Sequence, residues 1–219
     1  MSEARHDETG YRVDPHNNAT PPCSFTEAAV AAGHEVPPSD PDAAIDWLLT
    51  HADDGLFREF IDGTLMVREP GGALHGSVGI NIALLLGNYV RDNHLGRVLG
   101  PDVGYVLRRN PLTILAPDAS FLTQERWEAI PDRWRFVEGP PDLAVEVWSP
   151  SERPKAVAAK TRIYMEVKTP LLWFVDPRSR TVRVWTAGSD QPEELRPGDV
   201  LIGDPVIPGF RCQVTDLFE

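Results

Sequence analysis

The stretch Asp142-Leu143-Ala144-Val145-Glu146-Val147-Trp148 decides how the chain is read. Its nearly continuous apolar character predicts a strand covered on both faces, because a half-exposed strand alternates polar with apolar residues. Side chains point alternately to the two faces of such a strand, so Leu143, Val145 and Val147 share one face and Ala144, Glu146 and Trp148 the other. Glu146 is the anomaly. Burying a carboxylate between Ala144 and Trp148 is costly unless it is paired or bound to a metal. The alternative is a strand-end position where Glu146 meets solvent or an arginine.

Working downstream, Ala156, Ala159, Ile163 and Val167 mark the apolar stripe of a helix over 154–168. Pro170 stops it, Leu171-Leu172-Trp173-Phe174-Val175 predicts another buried strand, and Arg180 to Trp185 alternates like a half-exposed one. Upstream, short strands are expected at 97–100, 103–107, 112–115 and 119–122, and a loop with three prolines and two tryptophans over 127–141. Before them, Leu74, Val78, Ile82, Leu85, Leu86, Tyr89 and Val90 give a helix over 73–93, whose Gly76, Gly79 and Gly87 suggest close packing. Asp62-Gly63 between two short apolar runs is a hairpin signal. Ser39-Asp40-Pro41 starts a helix with Ile45, Trp47, Leu48 and Leu49 on its apolar face. The sum is an α+β fold with a mixed sheet. Residues 1–22 read as a disordered acidic tail, 23–40 as an extension with a short helix at Phe25–Ala32, and 41–219 as a single domain.

At 219 residues and 24.3 kDa the chain has room for one sizeable core. No stretch approaches the roughly 20 apolar residues of a membrane span, and the N-terminus lacks the apolar run of a secretory signal. Cys23 and Cys212, far apart in the chain, form neither a disulfide framework nor a zinc knuckle, so two reduced thiols in a cytoplasmic protein are expected.

Twenty-one basic residues face 33 acidic ones, a net charge of -12, which argues against nonspecific coating of nucleic acid. The charge is uneven. Residues 1–45 carry two arginines and eight acids, whereas residues 151–185 carry eight cations and three acids. Lysine occurs only at Lys155, Lys160 and Lys168, so chemistry that needs one must choose among these three.

Two further residues bear on Glu146. Asp118, in Ala116-Pro117-Asp118, alone would be an ordinary turn residue. Lys160 lies on the helix that follows the Glu146 strand, off its apolar stripe, with Tyr164 one turn on; alone it would be a surface lysine. Together the three make a different pattern. Two carboxylates on neighbouring strands suit a hard divalent cation that keeps several waters, and a lysine from the next helix can orient or deprotonate one of them. That arrangement suits phosphodiester hydrolysis.

Here the chain resembles a known family. Asp118, Glu146-Val147, Ser149-Pro150-Ser151, Lys160 with Tyr164, and Trp173-Phe174-Val175-Asp176-Pro177 are similar to the Uma-type restriction-endonuclease family of the PD-(D/E)XK nuclease superfamily. Glu59-Phe60-Ile61-Asp62-Gly63 and His75 also match its N-terminal pattern, and the resemblance runs from about Pro41 to Glu219. It implies a restriction-endonuclease-like fold, a curved mixed β-sheet flanked by helices, with a Mg²⁺- or Mn²⁺-dependent site. It implies Asp118, Glu146 and the Val147 carbonyl as metal ligands, Lys160 acting on the water, and Glu59 as a further acid near the metal. His75 and Tyr164 would stand at the rim. The superfamily's usual lysine two residues after the glutamate is replaced by Trp148, which leaves that task to Lys160. Ala156 stands where an acid is frequent, and Lys168 where a glycine usually closes the helix.

The function so implied is a metal-dependent DNA endonuclease, with a homodimer expected for two-strand cleavage. The alternative is a catalytically inactive nuclease-fold module that binds nucleic acid or a protein partner. A hydrolase of smaller phosphate esters is a third reading. A Gly-x-x-x-x-Gly-Lys phosphate loop and a Gly-x-Ser-x-Gly elbow are both absent from the sequence.

Overall fold

Asp40 opens the first helix, α1 (Pro41–Thr50), by accepting a 2.9 Å hydrogen bond from Ala43 N–H, with Pro41 in the first turn where its missing N–H does no harm. The computed structural model that shows this describes residues 37–51, 57–68, 71–149 and 154–219. The expected tail, most of the extension with its Phe25–Ala32 helix, Cys23 and Pro150-Ser151 lie outside the described residues. Pro37–Glu219 form one compact unit.

Strands β1 (Phe57–Ile61) and β2 (Thr64–Arg68) pair antiparallel, with Ile61 opposite Thr64. Asp62 and Gly63 between them both have positive φ, 48° and 82°, as a tight hairpin turn requires. Helix α2 (Ala73–Asp92) buries Val78, Ile82, Leu86 and Val90. Two expectations for it need correction. Leu74 is exposed, together with Ile80 and Leu84. The glycines are not close-packing sites among the described residues, since a Cβ built on Gly76, Gly79 or Gly87 meets none of them within 4 Å. Contrary to the sequence reading, α2 is long and apolar enough by length and composition to cross a membrane. Its four buried residues belong to the main core cluster.

Next come β3 (Gly96–Leu99), β4 (Tyr105–Arg109), β5 (Leu112–Leu115) and β6 (Ala119–Thr123). Gly96 has no substitute at its position, because a Cβ there would lie 2.0 Å from the Leu122 carbonyl oxygen. The span 127–141 is not wholly loop: it takes in the end of a short helix, α3 (Gln124–Glu128), and strand β7 (Val137–Glu138). Then follow β8 (Leu143–Val147), α4 (Pro154–Glu166), β9 (Leu171–Asp176), β10 (Thr181–Thr186), β11 (Glu193–Leu195), β12 (Val200–Ile202), β13 (Arg211–Gln213) and a 3₁₀ turn over Val214–Phe218.

Among the described residues the strands are shared among three sheets: β2-β1-β5-β4-β7, β11-β10-β9-β8-β6-β3, and the pair β12-β13. The two larger ones are mixed. β8 and β9 are parallel with α4 as their crossover, and β4 and β7 are parallel; the other pairings are antiparallel. The six-stranded sheet is covered on both faces, as its continuous apolar strands demand. Leu143, Val145 and Val147 of β8 pack in one cluster with α2 and with Leu201, Phe210 and Val214 near the C-terminus. Ala144 and Leu172 on the opposite face pack with Ile163 and Tyr164 of α4 and with Leu115 of the five-stranded sheet. Glu146 has the parity of Ala144, so it points into this second layer.

Helix α4 ends in a Schellman-type cap. Thr169 N–H returns to the Tyr164 carbonyl at 2.9 Å and Lys168 N–H to Met165 at 3.1 Å. Lys168 takes the left-handed position, φ 59°, where glycine is preferred.

Candidate active site

Strand β8 carries Glu146 between two packed layers, and the side chain is 2% exposed. Its charge is met from α4, where Lys160 Nζ lies 3.1 Å from Glu146 Oε2 and Tyr164 donates its hydroxyl to Glu146 Oε1 at 2.9 Å. Lys160 and Tyr164 are one helical turn apart, so one face of α4 serves both carboxylate oxygens. Lys160 is no surface lysine; it is 3% exposed. Tyr164, expected at the rim, is wholly buried.

The second acid at Lys160 comes from the other sheet. Glu59 of β1 sets Oε2 3.1 Å from Lys160 Nζ, and its Oε1 accepts from Ala116 N–H at 2.9 Å. Lys160 therefore ties β1, β8 and α4 together. An uncompensated charge at such depth would cost several kcal/mol, and the two carboxylates are what make a buried ammonium tenable.

Asp118 immediately precedes β6, whose Ala119 pairs with Val145 of β8. Extending that register by one residue sets Asp118 opposite Glu146. Asp118 Oδ2 accepts the Val147 N–H at 2.7 Å and lies 3.3 Å from His75 Nε2. Burial opposes the charged form of Asp118. The hydrogen bond and charge of His75, the Val147 N–H and the Lys160 charge outweigh it and hold the carboxyl below its ordinary range. His75 is one-fifth exposed, so it stands at the edge of the cluster. Gly71 lets it lie there, because a Cβ on Gly71 would come 2.7 Å from His75 Nδ1.

All the side chains singled out in the sequence thus fall in one contiguous group: His75, Asp118, Glu146, Lys160 and Glu59, with Tyr164 behind Glu146. The sequence reading missed two things. It gave Glu59 no partner, because the Lys160 contact crosses between sheets. It also gave no sign of the Ala116 N–H that orients Glu59.

The donor set suits a hard cation. Among the described residues, no three His, Cys, Asp or Glu side chains form a metal-holding group by themselves. A Mg²⁺-type site does not need three, since it uses one or two carboxylates with waters and substrate phosphates.

No curated protein matches the chain. A solved structure, a putative nuclease belonging to DUF820 from Anabaena variabilis, superposes with a TM-score of 0.66 at 19% identity, covering 80% of this chain and 96% of that one. The shared fold is restriction-endonuclease-like, a mixed α+β architecture with its sheets flanked by helices. Residues 47–215 match the Uma2 family, described as putative restriction endonuclease. On that match, which spans most of its length, the chain belongs to the Uma2 family.

Proposed function

We propose that the protein is a metal-dependent endonuclease acting on DNA, with Asp118, Glu146 and the Val147 carbonyl as the residues that would hold Mg²⁺ or Mn²⁺. The observation that supports it most is the joining of Asp118 to the Glu146 strand through Val147 N–H, with Lys160 3.1 Å from Glu146. When bound, such an ion supplies Lewis-acid polarisation of a phosphoryl oxygen and a water of lowered pKa. The chain's own residues do the rest. Lys160, an ammonium between two carboxylates, donates hydrogen bonds, so its part is to orient the attacking water and offset charge on the phosphate. Glu59 holds Lys160 in place from the other sheet. Tyr164 fixes the orientation of Glu146, and His75 does the same for Asp118. Cutting both strands calls for two centres, so the proposal includes a homodimer.

The test uses isosteric variants, because alanine at these buried positions would also leave a cavity. Wild type, Glu146→Gln and Asp118→Asn are melted with and without millimolar Mn²⁺ and assayed on supercoiled plasmid. A metal-induced rise in Tm and nicking, both lost in the variants, is the expected result. Nicking by all variants at the wild-type rate overturns the assignment.

A second reading has an observation of its own. Lys160 sits between Glu59 and Glu146 as in a structural ion triad, which suits a module that binds without cutting. A well-folded wild type with neither metal shift nor nicking selects that reading.

A further inference from the structure

On the outer side of α4, away from Lys160, lies a groove of about 650 Å³ between the helix and the β9–β10 ribbon. That size falls in the roughly 300–1,000 Å³ range of small-ligand sites. Its lining is unusual for a protein of net charge -12. Two indoles, Trp148 and Trp185, share it with three guanidinium groups, Arg162, Arg178 and Arg183. Asp176 and Asp190 are its acids. Arg178 stacks on the Trp148 ring at 3.4 Å and Arg183 over Phe174 at 4.9 Å, so both guanidinium planes are held by aromatic faces. Arg162 is bound to Asp62 and Glu166 at the groove's edge.

Trp148 follows Val147 directly and continues the β8 ladder by donating its N–H to Val175 O at 2.8 Å. It stands two residues beyond Glu146, about 7 Å of extended chain. The groove therefore adjoins the candidate active site.

We propose that this groove binds unpaired nucleotides of a nucleic acid strand, with a base stacked on Trp185 and backbone phosphate met by Arg183 and Arg178. The inference rests on the nuclease reading and adds a substrate class to it: DNA with a single-stranded segment beside the cleavage point. A paired, stacked base hides its π-face, so an intact duplex would use the arginines and leave the indoles idle. Stacking also matters more here than in a basic protein, since the acidic background limits binding by phosphate contacts alone.

The test is binding in EDTA, where cleavage plays no part. Fluorescein-labelled dT12 and a blunt 12-base-pair duplex are titrated by anisotropy into wild type, Trp185→Ala, Trp185→Phe and Arg183→Ala, each checked for folding by circular dichroism. Wild type should prefer dT12. Trp185→Ala should lose roughly 5- to 150-fold in affinity for it while Trp185→Phe, which keeps a stacking face, loses less. Arg183→Ala should lower the slope of log K against log salt by about 0.7, one phosphate contact on a single strand. Should Trp185→Ala misfold, the Arg183 slope and the dT12-against-duplex preference decide. Equal binding of dT12 and duplex, or folded variants that bind dT12 like wild type, overturns the proposal. Binding that depends on Trp185 in a protein that never nicks plasmid would leave the groove standing and remove only the nuclease reading.

Discussion

Lys160 Nζ and Glu59 Oε2 meet at 3.1 Å with both side chains buried, joining the crossover helix of the six-stranded sheet to an inner strand of the five-stranded one. The same ammonium is 3.1 Å from Glu146. One cation thus bridges acids from two sheets, and its removal would be felt in the fold.

Lys160→Met should lower unfolding stability by about 3–5 kcal/mol, the usual consequence of leaving buried charge unpaired. Adding Glu59→Gln should recover part of that loss, since one of the two buried, unpaired charges disappears. Urea unfolding of the single and double variants measures the coupling. Additive losses would mean that Lys160 and Glu59 are energetically independent.

The depressed pKa of Asp118 predicts a pH window. A carboxyl whose folded pKa lies below its unfolded one contributes stability above the ordinary range near 4, and the contribution fades as pH falls through the folded value. Wild type should therefore exceed Asp118→Asn in stability near neutrality, and the gap should close on acidification below about pH 4. Denaturant melts of both proteins across that range check it; a gap independent of pH would refute the ionised role.

The buried Tyr105 and the half-buried Cys212 predict a decline at alkaline pH. Burial raises Tyr105 from 10.0 to about 12 despite its hydrogen bond to Ser120, and burial with the nearby Asp216 charge raises Cys212 from 9.0 to about 12. Both stay protonated in the fold while their unfolded counterparts ionise, so stability is intact below about pH 9 and declines from there toward 12. Tyr105→Phe should flatten part of that decline, read as Tm against pH.

At the end of α4, Lys168 occupies a left-handed position, φ 59°. Lys168→Gly should relieve that strain by about 0.5–1 kcal/mol after allowing for the greater freedom of glycine in the unfolded chain. For a chain of this size that is a rise of roughly 1–4 °C in Tm. A fall in Tm would show that the lysine side chain contributes more than the backbone strain removes.

Local patterns were legible from the residues. Asp62-Gly63 specified its hairpin because both turn positions need positive φ, and Asp40-Pro41 specified a helix start because the cap and the first turn each suit those side chains. The run from Leu143 to Val147 announced a strand covered on both sides, and the anomaly of Glu146 within it marked the candidate site. The glycines of α2 misled, since propensity shows that a glycine is costly in a helix but not whether anything packs against it. Leu74 misled for a related reason: helical spacing defines a stripe, while the partner's extent decides how much of it is covered.

By itself the sequence determined most of the elements, their order and the anomaly of Glu146, because these depend on neighbours a few residues away. Only the tertiary structure decided that Lys160 is buried, that Glu59 reaches it from a second sheet, and that Tyr164 lies behind Glu146 and not at the rim. Those facts depend on how two sheets and a helix close around one charge. A local pattern carries no record of that closure, since the low-polarity surroundings that make the pairing necessary exist only once the layers have packed.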